Sequence, residues 1–326
     1  MLKKNRVIIL LLLVVLLIAC TSGAKKTETE KQPVIETLSS KVEDVITEGV
    51  PAQDSDEEPV ATDTAEEVTA LDVYAVNKNV TISEGIIYDE GGIKVTVKSL
   101  DFAGWMGPEL KFLAENDSGK SITLQANDVV INDFMIDTIM SVDLASGKKA
   151  NDELTIMNNS LENAGIETIQ YLEFSLRIID SEDWSNSFNT DRIRIETNAD
   201  PNFSQAVDDS GTLIVERDGV RIIMKKLETV ESFWGAELIV FIENNSGQDI
   251  SITAKDVSIN GFMVDPIFFA DVLSGARAFE ELAFMESDLK DNDITDITEI
   301  ELCFHVFNKD GWETIFDTEI INITFE

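Results

Sequence analysis

Two side chains with catalytic potential lie close together near the end of the chain. Cys303 and His305 are two positions apart in the stretch ELCFHVF, so a strand would place both on one face. A nucleophile needs a base within hydrogen-bond reach, and His305 is the only histidine of the sequence. An earlier, similar stretch has Ser175 and Arg177 at the same two places. This difference favours an ordinary strand face over a catalytic pair.

Familiar catalytic motifs are absent from the sequence. It contains no GxSxG, HExxH, CxxC pair or phosphate-binding loop, so hydrolase, zinc-protease, redox and nucleotide functions lack their starting motif. The 62 acidic residues always supply some pair of carboxylates at a glycosidase-like distance, so such a pair carries no information. We predict a protein that is not an enzyme, with a carbohydrate-active enzyme as the remote alternative.

One acid-dense stretch raises the question of calcium. Hard cations prefer several carboxylate and carbonyl oxygens from a compact loop. The stretch lacks the glycine and the terminal glutamate of an EF-hand loop, and the matching segment around Glu162 keeps one acid. A solvated acidic loop or helix start is the favoured interpretation, and a calcium site is the weaker one. No other cofactor is indicated. The candidate ligands are Asp288, Asp291, Asp293 and Asp296.

The four tryptophans are the candidate ligand-contact residues. They occupy matching loops and turns in two similar halves of the chain. Exposed aromatic rings can present a flat apolar face to a sugar or to a protein partner. Tryptophans at matching positions in both halves are explained equally simply as plugs, that is, buried side chains that close the ends of each domain. We favour that interpretation. The residues are Trp105, Trp184, Trp234 and Trp312.

The elements that must position these residues are predicted to be strands. In YLEFSLRII, Leu172, Phe174, Leu176 and Ile178 fall on one face, with polar residues between them. This period of two is typical of a half-buried strand. Many such stretches are separated by Asn-, Asp- and Gly-containing turns, which indicates an all-β fold of sandwich type.

The strand pattern is repeated once along the chain, at an offset of about 128 residues. DVVINDFMID at 128–137 matches DVSINGFMVD at 256–265, and GPELKFLAENDSG matches GAELIVFIENNSG. We predict two domains, 79–200 and 201–326, with a short hinge at about 198–210. Within each, we predict a turn whose asparagine bonds its own backbone, and a short helix before the central strand, capped by Ser160 in the first copy.

The first residues indicate export and anchoring. Lys3, Lys4 and Arg6 precede an uninterrupted apolar run that is too short to cross a bilayer. The sequence LIAC, ending at Cys20, resembles the lipobox of bacterial lipoproteins, which implies a signal peptide at 1–19 and a diacylglycerol on Cys20. Two acyl chains suffice for stable membrane attachment. We therefore expect an extracytoplasmic location on the bacterial cell membrane.

A long acidic segment follows the anchor. Residues 20–78 are rich in Asp, Glu and Pro and poor in aromatic residues, a composition typical of a disordered linker. The whole chain has a formal net charge of −37. Such a surface repels phosphate backbones, so nucleic acid is excluded as a partner, whereas cations or basic partners are compatible with it.

The repeated motifs also resemble a known family. GIKVTVKSL, the ENDSG and ENNSG turns, VSINGFMV and the DLASG and DVLSG turns are similar to immunoglobulin-like repeats of unknown function in surface lipoproteins of low-GC Gram-positive bacteria. The resemblance implies tandem immunoglobulin-like β-sandwiches and carries no catalytic residue. We predict a non-catalytic binding or adhesion module for a cell-wall glycan or an envelope or host protein. A structural spacer, or an accessory subunit of an envelope complex, is the alternative.

Overall fold

The computed structural model describes residues 76–229 and 235–325. The predicted signal peptide, the predicted lipidation site Cys20, nearly all of the predicted acidic linker and Trp234 lie outside these residues. Within them, strands dominate and the two helices are short. No helix in the described part of the chain is long and apolar enough to cross a bilayer.

Elements are numbered along the chain. The first repeat contains β1 Gly85–Glu90, β2 Ile93–Asp101, β3 Glu109–Asn116, β4 Ile122–Ile131, β5 Phe134–Met135, β6 Thr138–Ile139, β7 Ser141–Leu144, β8 Lys148–Ile156, α1 Asn158–Asn163, β9 Tyr171–Asp180, β10 Asp183–Asn189 and β11 Ile193–Glu196. The second contains β12 Thr212–Arg217, β13 Val220–Thr229, β14 Ala236–Asn244, β15 Ile250–Ile259, β16 Phe262–Met263, β17 Phe269–Val272, β18 Arg277–Phe284, α2 Glu286–Asp291, β19 Glu299–Asn308, β20 Thr314–Asp317 and β21 Ile321–Thr324.

Two packed layers of strands form each repeat. In the first, one layer has the order β1-β2-β3-β8-β6, and in the other β4 pairs with β5, β7 and β9, while β9 also pairs with β10 and β11. Alternate residues of both layers meet in one core: Val95 and Phe112 come from the first layer, and Leu124 and Phe174 from the second. Burying them contributes about 1.5–3 kcal/mol for each large side chain.

The second repeat follows the same plan. The order β12-β13-β14-β18 repeats the first layer, and β15 and β19, with their partners β16, β17, β20 and β21, repeat the second. The chain changes layer between β3 and β4 and between β8 and β9 in the first repeat, and at the equivalent connections in the second. Such crossovers between two sheets are typical of immunoglobulin-like sandwiches. The prediction of an all-β fold with two immunoglobulin-like sandwiches is confirmed.

A short helix links the two layers in each repeat. Helix α1 connects β8 to β9, and α2 connects β18 to β19, as the sequence predicts. The predicted cap at Ser160 is wrong, because α1 begins after Met157 without a side-chain cap. Ser160 lies inside the helix, and its hydroxyl accepts a hydrogen bond from the Asp137 backbone N–H at 3.0 Å. Leu161 anchors the helix in the core.

The duplicated turn contains positive φ angles at both central residues. Asn132 and Asp133 have φ of 50° and 67°, as hairpin turns of this type require. The predicted local bond of the asparagine is wrong. Asn132 instead donates to the Thr168 carbonyl at 2.7 Å and accepts from the Gln170 N–H at 2.9 Å, and Asn260 repeats this pattern. The side chain therefore ties the turn to the start of the central strand.

A second asparagine is buried identically in both copies. Asn116 and Asn244 are 0% exposed at the ends of β3 and β14. Each side-chain amide donates to two backbone carbonyls and each side-chain oxygen accepts from the serine of the following turn. Because a buried amide is costly unless all its groups are bonded, these residues fix where the chain changes layer.

The two repeats pack directly against each other. The Phe134 ring lies 6.2 Å from Phe279, which in turn lies 5.2 Å from Phe241. The Arg277 N–H donates to the Asp133 carbonyl at 2.9 Å, where β5 and β18 pair. The segment 198–210 has no helix or strand, but Gln205 is bonded to the first repeat. The predicted hinge at 198–210 is therefore held against the first repeat and does not behave as a free linker.

Candidate binding surfaces

The tryptophans in the described part of the chain are exposed. Trp105 precedes β3, Trp184 lies in β10 and Trp312 lies in the turn before β20. Their exposed fractions are 87%, 56% and 71% respectively. The favoured prediction that the tryptophans plug the ends of the sandwiches is therefore wrong for these three residues. A plug must exclude water from the core, and these rings remain in water.

An aromatic stack forms on one face of the second repeat. The Trp312 ring lies 5.5 Å from Phe307 at an interplanar angle of 18°, and Phe307 lies 5.1 Å from the His305 ring at 27°. Trp312 has a φ of 61°, an unfavourable conformation for a bulky residue. Two N–H bonds to the Asn308 side chain stabilise the turn that holds it. We call His305, Phe307 and Trp312 the aromatic stack.

Cys303 and His305 share a face of β19, as predicted, and both are half-buried. Burial, together with nearby carboxylates, raises the pKa of the Cys303 thiol, which disfavours the reactive thiolate. His305 Nδ1 lies 2.6 Å from Asp317, and this hydrogen bond, followed by that of Lys255, lowers the pKa of Asp317. The histidine is thus engaged by a carboxylate on β20.

A small acidic cleft lies between the repeats. We call it the interface cleft; it has a volume of about 290 Å³ and is lined by residues 126–129 and 135–138 and by Asp271, Phe279 and Glu280. Burial, with the negative charges of Asp137, Glu281 and Asp271, raises the pKa of Glu280 to about 8. Glu280 is therefore largely protonated at neutral pH.

Lys309 connects the two repeats beside the interface cleft. Its ammonium group pairs with Asp128 of the first repeat and lies 3.4 Å from Asp271 of the second. Burial alone would lower the pKa of Lys309, but the hydrogen bond to Asp128 and the charge of Asp271 raise it overall. The lysine therefore stays charged and offsets part of the acidity of the cleft.

The proposed calcium ligands do not converge. Asp288 and Asp291 lie on α2, and Asp296 contributes its main-chain carbonyl to Asn260. Asp293 follows the helix with a φ of 54°. Within residues 76–229 and 235–325, no three His, Cys, Asp or Glu side chains are placed to hold a metal ion. The structure gives no support to calcium at these four positions.

Some features of these surfaces escaped sequence reasoning. The interface cleft depends on contacts between the two repeats, and the aromatic stack depends on how the turn after β19 folds Trp312 back onto Phe307. One signal was available: Phe307 and His305 replace Ile179 and Arg177 of the first repeat, so aromatic character increases around the second copy's tryptophan. Differences between the copies, rather than their identities, indicated this surface.

Comparison with known proteins identifies no family. No family model matches the chain, and no curated protein is similar to it. Among solved structures, a SafA pilin of Salmonella enterica in complex with the SafB chaperone is 12% identical, covers 78% of this chain and 100% of its own, and has a TM-score of 0.19. A red sea bream transglutaminase is 10% identical over 77% of this chain and 32% of its own, with a TM-score of 0.20. Similarity this weak carries no argument about function.

Proposed function

We propose that this chain is a non-catalytic binding module, displayed outside the bacterial cell on a lipid at Cys20. The observation that supports it is the exposure of Trp105, Trp184 and Trp312, each more than half accessible to water. Leaving large aromatic rings in water forgoes the free energy of burying them, about 1.5–3 kcal/mol for a large apolar side chain. Such rings are enriched where a partner later covers them.

The aromatic stack is the best-formed of these surfaces. It combines the flat Trp312 ring with hydrogen-bonding groups on Asp317 and Lys255, which lie 3.2 Å apart beside His305. An exposed ring at one end of the stack and polar groups at the other suit a sugar chain, whose rings have apolar faces and hydroxyl rims. We therefore propose a cell-wall glycan as the ligand, with an envelope or host protein as the competing class.

The test measures binding of the detergent-solubilised full chain to isolated cell-wall polysaccharide and, separately, to solubilised envelope protein. Trp312→Ala should abolish capture of the ligand, Trp312→Phe should retain part of it, and all variants should unfold at the same temperature. Trp105→Ala and Trp184→Ala measure the contribution of the other two exposed rings, and each should reduce capture less than Trp312→Ala does. Equal capture by every variant would contradict the proposal.

The competing function is a structural spacer, favoured by the direct packing of Phe134 and Phe279 between the repeats. Capture from neither fraction would favour the spacer. The anchor has its own test: Cys20→Ala should release the protein from the membrane fraction of the cells. Retention of that variant in the membrane would exclude the lipid anchor without affecting the binding measurement.

A further inference from the structure

An open cleft runs along one side of the first repeat. We call it the edge cleft; it is lined by residues 86–90 of β1 and residues 188–194 around β10 and β11, and its volume is about 690 Å³. Ile86 is 56% exposed and Phe188 is 52% exposed. Among the described strands, β1 pairs only with β2, and β10 and β11 pair only with β9. Two strand edges with unpaired backbone groups thus flank exposed apolar side chains.

The same place in the second repeat is covered. Phe316 pairs with Val306 on β19 in the register in which Phe188 pairs with Ile178 on β9. Phe316 is only 3% exposed. The guanidinium carbon of Arg217 lies 4.9 Å from the centre of its ring, and Nη1 of Arg217 donates to the Asp317 carbonyl at 3.3 Å. An arginine therefore seals the second copy of the site.

The first repeat lacks that arginine. Glu90 pairs with Ile93 in the register in which Arg217 pairs with Val220, so Glu90 holds the equivalent position. The face of an aromatic ring carries negative electrostatic potential, which attracts a guanidinium and repels a carboxylate. Glu90 therefore cannot replace Arg217 as a cover, and Phe188 stays exposed.

The charges of the edge cleft favour a basic occupant. Asp89, Glu90 and Asp191 line it, and within the described residues none of their carboxylates has an ion-pair partner. The two lining arginines are already engaged: Arg192 lies 2.6 Å from Glu173, and Arg194 lies 2.7 Å from Glu196. The formal net charge of −37 adds long-range attraction for a basic protein.

We propose that the edge cleft binds an extended, arginine-bearing segment of a basic partner protein. Its guanidinium group lies over Phe188 as that of Arg217 lies over Phe316, and its backbone pairs with the free edge of β1 or β10. Asp89, Glu90 and Asp191 pair with its positive charges. This site is separate from the aromatic stack and does not depend on glycan binding.

The probe is an acetylated peptide, Lys-Thr-Val-Thr-Arg-Thr-Val-Thr-Lys, measured against the detergent-solubilised full chain by isothermal titration calorimetry. In the control peptide, citrulline replaces arginine, which removes the charge and keeps the shape. The arginine peptide should bind at least about fivefold more tightly, the effect expected of one cation–π contact. Equal binding of the two peptides, or no binding of either, would overturn the proposal.

Substitutions in the protein locate the site. Glu90→Arg should place a guanidinium over Phe188 within the chain and abolish peptide binding, whereas Glu90→Gln should only weaken it. Phe188→Ala should also weaken binding, and because Phe188 is exposed, the variant should fold normally in thermal unfolding. Undiminished binding by Glu90→Arg would place the peptide elsewhere and refute the assignment. Trp312→Ala should bind the peptide normally, which separates this result from the glycan test.

Discussion

Phe188 and Phe316 occupy the same position in the two repeats, but 52% of the first side chain is exposed and only 3% of the second. Each phenylalanine and the residue after it pair in the same register in both copies, but the register shifts by one residue before Phe316, where Thr314 pairs with Phe307. The difference arises from the neighbouring strand, where Glu90 in one repeat is replaced by Arg217 in the other. The duplicated fold thus places the phenylalanine at the same point twice, and the charged residue on the neighbouring strand contributes to whether it is open or covered.

A second duplicated phenylalanine shows the opposite asymmetry. Phe134 is fully buried, whereas its counterpart Phe262 is 48% exposed. Here the cause is the other repeat, because Phe279 and Arg277 of the second copy lie over Phe134. No third repeat covers Phe262 in the described chain. The environment of a duplicated residue therefore depends on what packs outside its own sandwich.

The strongest test of this comparison removes Phe316 from β20 and Phe188 from β10. Phe316→Ala should reduce the free energy of unfolding by about 3–5 kcal/mol, because it leaves a cavity in a packed site. Phe188→Ala should cost less than about 1 kcal/mol, because its ring already meets water. Urea unfolding of both variants measures the difference. Equal losses would mean that Phe188 is covered in solution.

The two buried asparagines should show no such asymmetry. Asn116→Ala and Asn244→Ala should each cost about 2–3 kcal/mol, since each leaves buried backbone groups without their partners. The same bonds are made in both copies, so the two losses in urea unfolding should agree closely. A large difference between them would show that the two turns are not energetically equivalent.

The interface cleft should make stability depend on pH. The pKa of Glu280 is raised to about 8, so the folded state holds a proton that the unfolded state releases near its ordinary value. Stability should therefore fall as pH rises from about 4.5 to 8 and level off above that.

Glu280→Gln is the matched variant for this prediction. It keeps the size of the side chain and removes the proton equilibrium, so it should be more stable than the native chain at pH 9 and show a flatter pH profile. Unfolding curves in urea at several pH values measure both quantities. An unchanged pH profile in Glu280→Gln would assign the titration to another group, such as Glu281.

Much of the architecture was predictable from local patterns. The alternation in YLEFSLRII predicted β9, where Leu172, Phe174, Leu176 and Ile178 are all buried. The position of α1 was predictable, but its cap was not, because Ser160 bonds to the Asp137 N–H rather than to its own helix. The exposure of Trp312 was not predictable either, since it depends on how the Asn308 side chain shapes the turn that carries the ring.

The sequence by itself determined the two sandwiches, because strand periodicity, turn residues and a repeat at fixed offset are local properties that each segment carries. The sequence also contains the difference between Glu90 in the first repeat and Arg217 at the equivalent position of the second. Only the tertiary structure decided what that exchange means, because it brings β1 beside β10 and β12 beside β20. Burial, ring stacking and the raised pKa of Glu280 arise from contacts between residues far apart in the chain, and local composition does not specify those contacts.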